Sequence, residues 1–228
     1  MRRVGALVQH LATVSPAPSS SDEAAVEASP HPGVAHWSDP SSGARTLIRT
    51  LVANDCTVCF TNPGTSEMHF VAGLDSETQM RPILVLQENV ATGAADGYAR
   101  MAGKPASTLL HLAPGMANGY ANLHNARKNR TPMINVIGDH ATFHKPFDAP
   151  LNSDIEALSE SLKSGTEDAQ FFRTTSTVAE IVDDACDAVV AAGRGTGQVA
   201  TLILPANVSW ADNAPRSVHS PCKIHAVY

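Results

Sequence analysis

The sequence lacks several features that would each announce a function. It has no excess of basic residues. Lys and Arg number 16 against 22 Asp and Glu, a formal charge of −6, and the isoelectric point is about 5.9. That balance argues against nucleic-acid binding, which needs a basic patch to meet phosphate. No apolar run approaches the ~20 residues required to span a bilayer. No GxxxxGK[ST] segment is present, so the phosphate-cradling P-loop is excluded. Gly193-Arg194-Gly195-Thr196-Gly197 is glycine-rich. It follows a helical stretch and precedes an apolar one, the reverse of a phosphate-binding loop, and it reads as a helix stop.

Acidic clusters at metal-ligand spacing are also missing. His140 and His144 are placed to share a helix face, but they sit in a proline-containing loop without a third ligand. Cysteine is scarce, with four residues. Cys56 and Cys59 form a CxxC, but no second pair completes a zinc site and no helix start follows it as in redox motifs. Both read as small core residues at a strand, and the scattered thiols suggest a reducing compartment.

What is present begins at about residue 41. Residues 1–40 are rich in Ser and Pro and poor in large apolar side chains, the composition of a disordered extension. The first 21 residues contain no acid and carry Arg2 and Arg3. That weak targeting pattern leaves a mitochondrion or plastid as the alternative to a cytoplasmic location. Residues 41–212 alternate apolar strands with helical stretches. Leu47, Ile48, Leu51 and Val52 mark a first helical face that ends near Asn54; further helices are expected over about 66–74, 88–101, 115–129, 153–163 and 178–192, and strands near 57–60, 83–86, 106–112, 133–137 and 199–204. This order predicts the α/β class: a doubly wound, mainly parallel sheet with helices on both faces, forming a single three-layer domain. Its roughly 170 residues are enough for a core without staples. Residues 213–228 are expected to be a tail or truncated linker with nothing to pack on.

Three predicted strand ends gather unusual residues: Asn62-Pro63-Gly64-Thr65-Ser66-Glu67, Gln87-Glu88-Asn89, and His111-Leu112-Ala113-Pro114-Gly115. In parallel α/β sheets, ligands bind outside the carboxyl ends of strands, so all three should meet at one rim. The helix after Glu88 is built of Ala91, Gly93, Ala94, Ala95, Gly97 and Ala99. Glycine inside a helix costs roughly 1 kcal/mol against alanine, so close approach of another helix or subunit is expected there.

The combination Phe60-x-x-Pro63-Gly64, Glu88 to Arg100, Gly103-Lys104-Pro105 and Ala113-Pro114-Gly115 resembles the N-terminal pyrimidine-binding domain of thiamine-diphosphate enzymes. The acetolactate-synthase-like and benzoylformate-decarboxylase-like branch is the most similar. The resemblance implies that Glu88 hydrogen-bonds a ring nitrogen of the cofactor's aminopyrimidine and favours its imino form. It further implies that His111 assists proton transfers to substrate-derived groups, although a strand-end histidine also serves as a plain structural residue. By the same resemblance Pro63, Gly64, Thr65, Pro114 and Gly115 line the cofactor pocket. Ala113 stands where acetolactate synthases usually have glycine.

The implied activity is a 2-keto-acid decarboxylase or carboligase, that is, a lyase or transferase. The family's Gly-Asp-Gly and Asn that hold Mg2+ and diphosphate are absent from this sequence. Thiamine diphosphate is therefore expected to be held at its pyrimidine end only, with Mg2+ supplied through a partner domain, and the chain is not expected to be active alone. The implied partners are a second copy or a chain carrying the diphosphate-binding domain, and a 2-keto acid in the assembled enzyme. The alternative is a non-catalytic relative acting as a dimerisation or interaction module. With one wall of the closed site missing, Glu88 is expected to be solvated.

Overall fold

The computed structural model describes residues 42–162, 170–195, 197–215 and 222. The expectations for residues 1–40 lie outside these. Helix α1 (Gly43–Ala53) opens where the Ser42 hydroxyl accepts the Arg45 N–H, satisfying a donor that the first turn leaves free. Strand β1 (Val58–Asn62) runs into a 3-10 turn, Thr65–Glu67, and α2 (Met68–Ser76). Then come β2 (Arg81–Leu84), α3 (Glu88–Ala102), β3 (Ala106–Leu110), α4 (Leu112–Lys128) and β4 (Met133–Asp139). A 3-10 turn at Lys145–Phe147 leads to α5 (Ile155–Glu160), and β5 (Phe172–Thr174) follows. The 3-10 turn Val178–Glu180 feeds α6 (Ile181–Ala192), then β6 (Val199–Pro205) and α7 (Ala206–Trp210) close the chain.

The six strands form one sheet in the order β2-β1-β3-β4-β6-β5, and every pair is parallel. Alternate strand residues feed two cores. Leu109, Ile134, Val136, Leu202 and Leu204 pack with α1, α2, α6 and α7 through Leu47, Ile48, Phe70, Ile181 and Val208. Leu110, Met133, Ile137 and Ile203 pack with α3, α4 and α5 through Ala95, Met116, Leu123 and Ile155. The predicted class therefore holds, and the period-2 alternation of β4 and β6 is its direct cause.

The structure differs from expectation in four places. The 83–86 run was read as an ordinary apolar strand, but β2 ends at Leu84 and is an edge strand; Leu84 is 70% exposed, and Leu86, beyond the strand, is 95% exposed. Strand β5 and helix α7 were not anticipated, because three and five residues are too short to register a period. Residues after 211 do pack: Ala211 accepts the Gly43 N–H at 3.1 Å, and the Pro215 carbonyl accepts from Thr46. The Cys222 N–H donates to Asn54 Oδ1 at 2.8 Å. Finally, Cys186 and Cys222 are disulfide-bonded, while Cys56 and Cys59 are free and buried.

Candidate functional site

The strand order reverses at β1. The chain leaves β1 toward β2 on one side and returns by α3 to β3 on the other. Such a switch opens a crevice at the carboxyl ends of the two strands. Asn62 and Leu110 are register partners there, so Pro63-Gly64 and His111 emerge side by side.

Gly64 is required by space and not by its backbone angles. A Cβ on Gly64 would lie 2.3–2.5 Å from the His111 imidazole. Three residues on, Glu67 turns its carboxylate back. Oε2 accepts the Gly64 N–H at 2.8 Å and meets His111 Nδ1 at 2.7 Å. Glu67 is 2% exposed, and its Oε1 has no hydrogen-bond partner among the described residues. This side chain lay inside the segment singled out in the sequence yet was given no role. The available signal was its place three residues after a turn residue, the spacing at which a carboxylate reaches back to a free N–H.

His111 precedes α4 and Leu112 follows it with φ 55°. A buried leucine in the left-handed region costs on the order of 1–3 kcal/mol and persists only where the surroundings enforce it. Ala113, Pro114 and Gly115 do not form a turn before the helix as expected; they lie inside its first turn. The Glu67 hydrogen bond raises the pKa of His111 above the ordinary 6.5. Partial burial opposes it, and the charges of Glu67 and Glu88 add to the rise.

Glu88 opens α3 directly after Gln87, whose side chain accepts the Val90 N–H at 3.1 Å. A carboxylate suits that position because the first helical N–H groups carry partial positive charge. Glu88 is only 8% exposed, so the expectation of a solvated side chain is wrong. Helix α4 supplies the wall. Asn118 Nδ2 donates to Glu88 Oε2 at 3.1 Å, and a Cβ on Gly115 would stand 3.3 Å from Oε1. Asn118 was not identified from sequence, since nothing in its surroundings distinguishes it from the other asparagines of α4.

The approach of α3 and α4 explains part of the small-residue helix. Thr92 Oγ1 donates to the Gly119 carbonyl at 3.0 Å. A Cβ on Gly119 would meet Thr92 at 2.8 Å, and one on Gly93 would meet Asn122 at 2.7 Å. Gly97 faces open space, with nothing within 4 Å of a Cβ.

The sequence-selected residues therefore converge as two close pairs, Gly64 with His111 and Glu88 with Gly115. Pro63, Thr65 and Pro114 flank them in the chain. Among the described residues no group of three or more His, Cys, Asp or Glu could hold a metal ion. His140 Nε2 instead contacts the Pro150 carbonyl at 3.1 Å. No helix among the described residues is long and apolar enough to cross a membrane. A separate groove of about 480 Å³ is lined by Phe171, Arg173, Asp187 and Arg194, and none of the rim residues contributes to it.

The arrangement offers one buried carboxyl group at a helix N-terminus and one imidazole held by a second carboxylate. Several proteins of known name are similar to the chain. A protein from Mycobacterium tuberculosis named "Putative acetolactate synthase large subunit IlvX" is 54% identical over 185 residues, 81% of this chain and 35% of that protein. Benzoylformate decarboxylase of Pseudomonas aeruginosa is 39% identical over 82 residues, 36% of this chain and 15% of that enzyme. The thiamine diphosphate-dependent 4-hydroxybenzoylformate decarboxylase of Rhodococcus jostii RHA1 has the same fold. Its TM-score is 0.69 at 23% identity, over 77% of this chain and 32% of that one. The chain thus spans about a third of the length of the first of these relatives. The model of the thiamine pyrophosphate enzyme N-terminal TPP binding domain matches residues 41–158, more than half of the chain, and the chain belongs to that family.

Proposed function

We propose that this chain supplies the pyrimidine-binding half of a thiamine-diphosphate site in a decarboxylase or carboligase acting on 2-keto acids. The diphosphate and Mg2+ are then held by a second domain or chain. The observation that carries this reading is the Glu88 carboxyl group. It is buried by α4 at the carboxyl rim of the sheet, with one oxygen held by Asn118 and the other beside a residue without a side chain, Gly115. A pyrimidine ring nitrogen is the kind of partner such an oxygen takes, and the missing side chain at Gly115 leaves room for a ring edge.

When bound, thiamine diphosphate supplies the electron sink for decarboxylation, so the hard chemistry belongs to the cofactor. Glu88 would share a hydrogen bond with the ring nitrogen. His111 holds a proton at the rim, and Gly64 lets the imidazole sit against the main chain. The substrate class rests on the names of the two decarboxylases and the acetolactate synthase relative above.

The test is calorimetric titration of thiamine diphosphate with Mg2+ into the chain alone and into a mixture with a chain carrying the diphosphate-binding domain. Binding in the mixture that weakens tenfold or more in Glu88→Gln supports the reading. No binding in either, with Glu88→Gln indistinguishable from wild type, overturns it. A second reading, a non-catalytic dimerisation module, is favoured by one observation: Leu84, Leu86 and Met101 stand 70–95% exposed. It predicts self-association without cofactor binding.

A further inference from the structure

Glu67 is a buried ionisable group that the proposed function leaves unused. Its side chain is 1% exposed. Oε2 receives both the Gly64 N–H and the His111 Nδ1 contact, at 2.8 and 2.7 Å. Oε1 has no donor among the described residues and lies against Gly138, where a Cβ would stand 1.7 Å away. As a structural element this is a poor arrangement. A half-satisfied buried carboxylate carries a desolvation penalty that an apolar side chain of similar volume avoids. The fold nonetheless makes room for it from two sides, with glycine at 64 under the imidazole and glycine at 138 under Oε1.

The geometry also decides where the proton sits. Oε2 already accepts from a backbone N–H, so as a carboxylate oxygen it acts as an acceptor toward the imidazole as well. The proton of the Glu67–His111 contact then resides on Nδ1. In a neutral imidazole that leaves the lone pair on Nε2. No other described residue hydrogen-bonds Nε2. The charged groups that bear on the ring are Glu67, from the 3-10 turn, and Glu88, from α3.

We infer that Glu67 is the positioning residue for His111: it fixes the Nδ1–H form of the ring against Gly64 and leaves Nε2 as the nitrogen that exchanges protons at the crevice. What Nε2 serves rests on the proposed function, whereas the tautomer and the proton affinity of His111 do not. The contacts of the Glu67 Oε2 atom are with Gly64 and His111. The carboxylate acts through the imidazole, as an orienting acid does in other acid–base pairs.

The test uses the 228-residue chain without any cofactor. Long-range 1H–15N correlation spectra of the histidine rings are recorded across pH, with His111→Asn assigning the His111 signals. The wild-type ring is expected to carry its proton on Nδ1 in the neutral form and to titrate above 6.5. In Glu67→Gln the midpoint falls by about one unit or more, since an adjacent opposite charge supports the protonated ring by 1–3 units. Glu67→Asp keeps part of the rise. A neutral wild-type ring protonated on Nε2 overturns the inference, and so does a midpoint unchanged between wild type and Glu67→Gln. If Glu67→Gln does not fold, the wild-type tautomer alone decides. Loss of thiamine-diphosphate binding with the Nδ1–H tautomer intact would remove the proposed function and leave the Glu67–His111 relationship standing.

Discussion

A Cβ placed on Gly138 would lie 1.7 Å from Oε1 of Glu67. The two residues come from different strand ends, β4 and the turn after β1, and each requires the other's form. Gly138→Ala must therefore displace a buried carboxylate that has no free direction to move, because its other oxygen is held by Gly64 and His111. Overpacking of this kind costs about 1–3 kcal/mol. A lower urea midpoint with an unchanged slope is expected for Gly138→Ala. A midpoint equal to wild type would show that Glu67 has another place to go.

The raised pKa of His111 makes stability depend on pH with a definite sign. A group whose folded pKa exceeds its unfolded value binds its proton more tightly when folded. Its contribution is fully present below the unfolded value of 6.5 and is lost as pH rises through the higher folded value. Denaturant midpoints measured from pH 6 upward should fall through that window in wild type relative to His111→Asn. Equal pH dependence in the two proteins would contradict the Glu67–His111 hydrogen bond.

Cys56 and Cys59 are fully buried, and burial pushes both thiols up to about 12. The thiolate is the reactive form, so neither should react with a thiol reagent in the native chain at neutral pH. Unfolding without reductant should release two thiols, and unfolding with reductant four, because Cys186 and Cys222 are bonded. The bond closes a loop of 36 residues. In the chain-entropy model, Cys222→Ser then lowers stability by at most about 4 kcal/mol. Four thiols released without reductant would show that the bond is absent.

The layout of the sheet was legible because β4 and β6 are long apolar runs, and long periodic segments carry the strongest signal. The positions of Glu88, His111 and Gly64 were legible as well, since Glu88 opens a helix and His111 and Gly64 each lie within two residues of a strand's end. The walls of the site were not. Asn118 reaches Glu88 across 30 residues and Glu67 reaches His111 across 44. Contacts of that kind depend on how helices dock on the sheet, which no local pattern encodes. The burial of Glu88 was misjudged for the same reason: the wall was assigned to another domain, whereas Gly115 and Asn118 of α4 provide it. The exposure of β2 was also hidden, because an apolar run reads alike in a central strand and at an edge awaiting a partner.

That edge yields the last prediction. Leu84 ends β2, Leu86 lies between β2 and α3, and Val90 is in the first turn of α3, at 70%, 95% and 55% exposure, and Met101, in the last turn of α3, is at 89%. Gly97, on the same helix, meets nothing within 4 Å of a Cβ, a bare backbone onto which another helix can close. Exposed apolar surface near a glycine face favours association, since each fully buried leucine contributes about 1.5–3 kcal/mol relative to exposure. Light scattering should report a dimer or larger species at high concentration. Leu86→Glu should weaken that association about tenfold or more, because a desolvated carboxylate would replace a methyl contact. Denaturant stability at low concentration should stay within about 0.5 kcal/mol, as for other exposed positions. A wild-type chain that stays monomeric at high concentration would contradict self-association, and association that Leu86→Glu leaves unchanged would place the interface elsewhere.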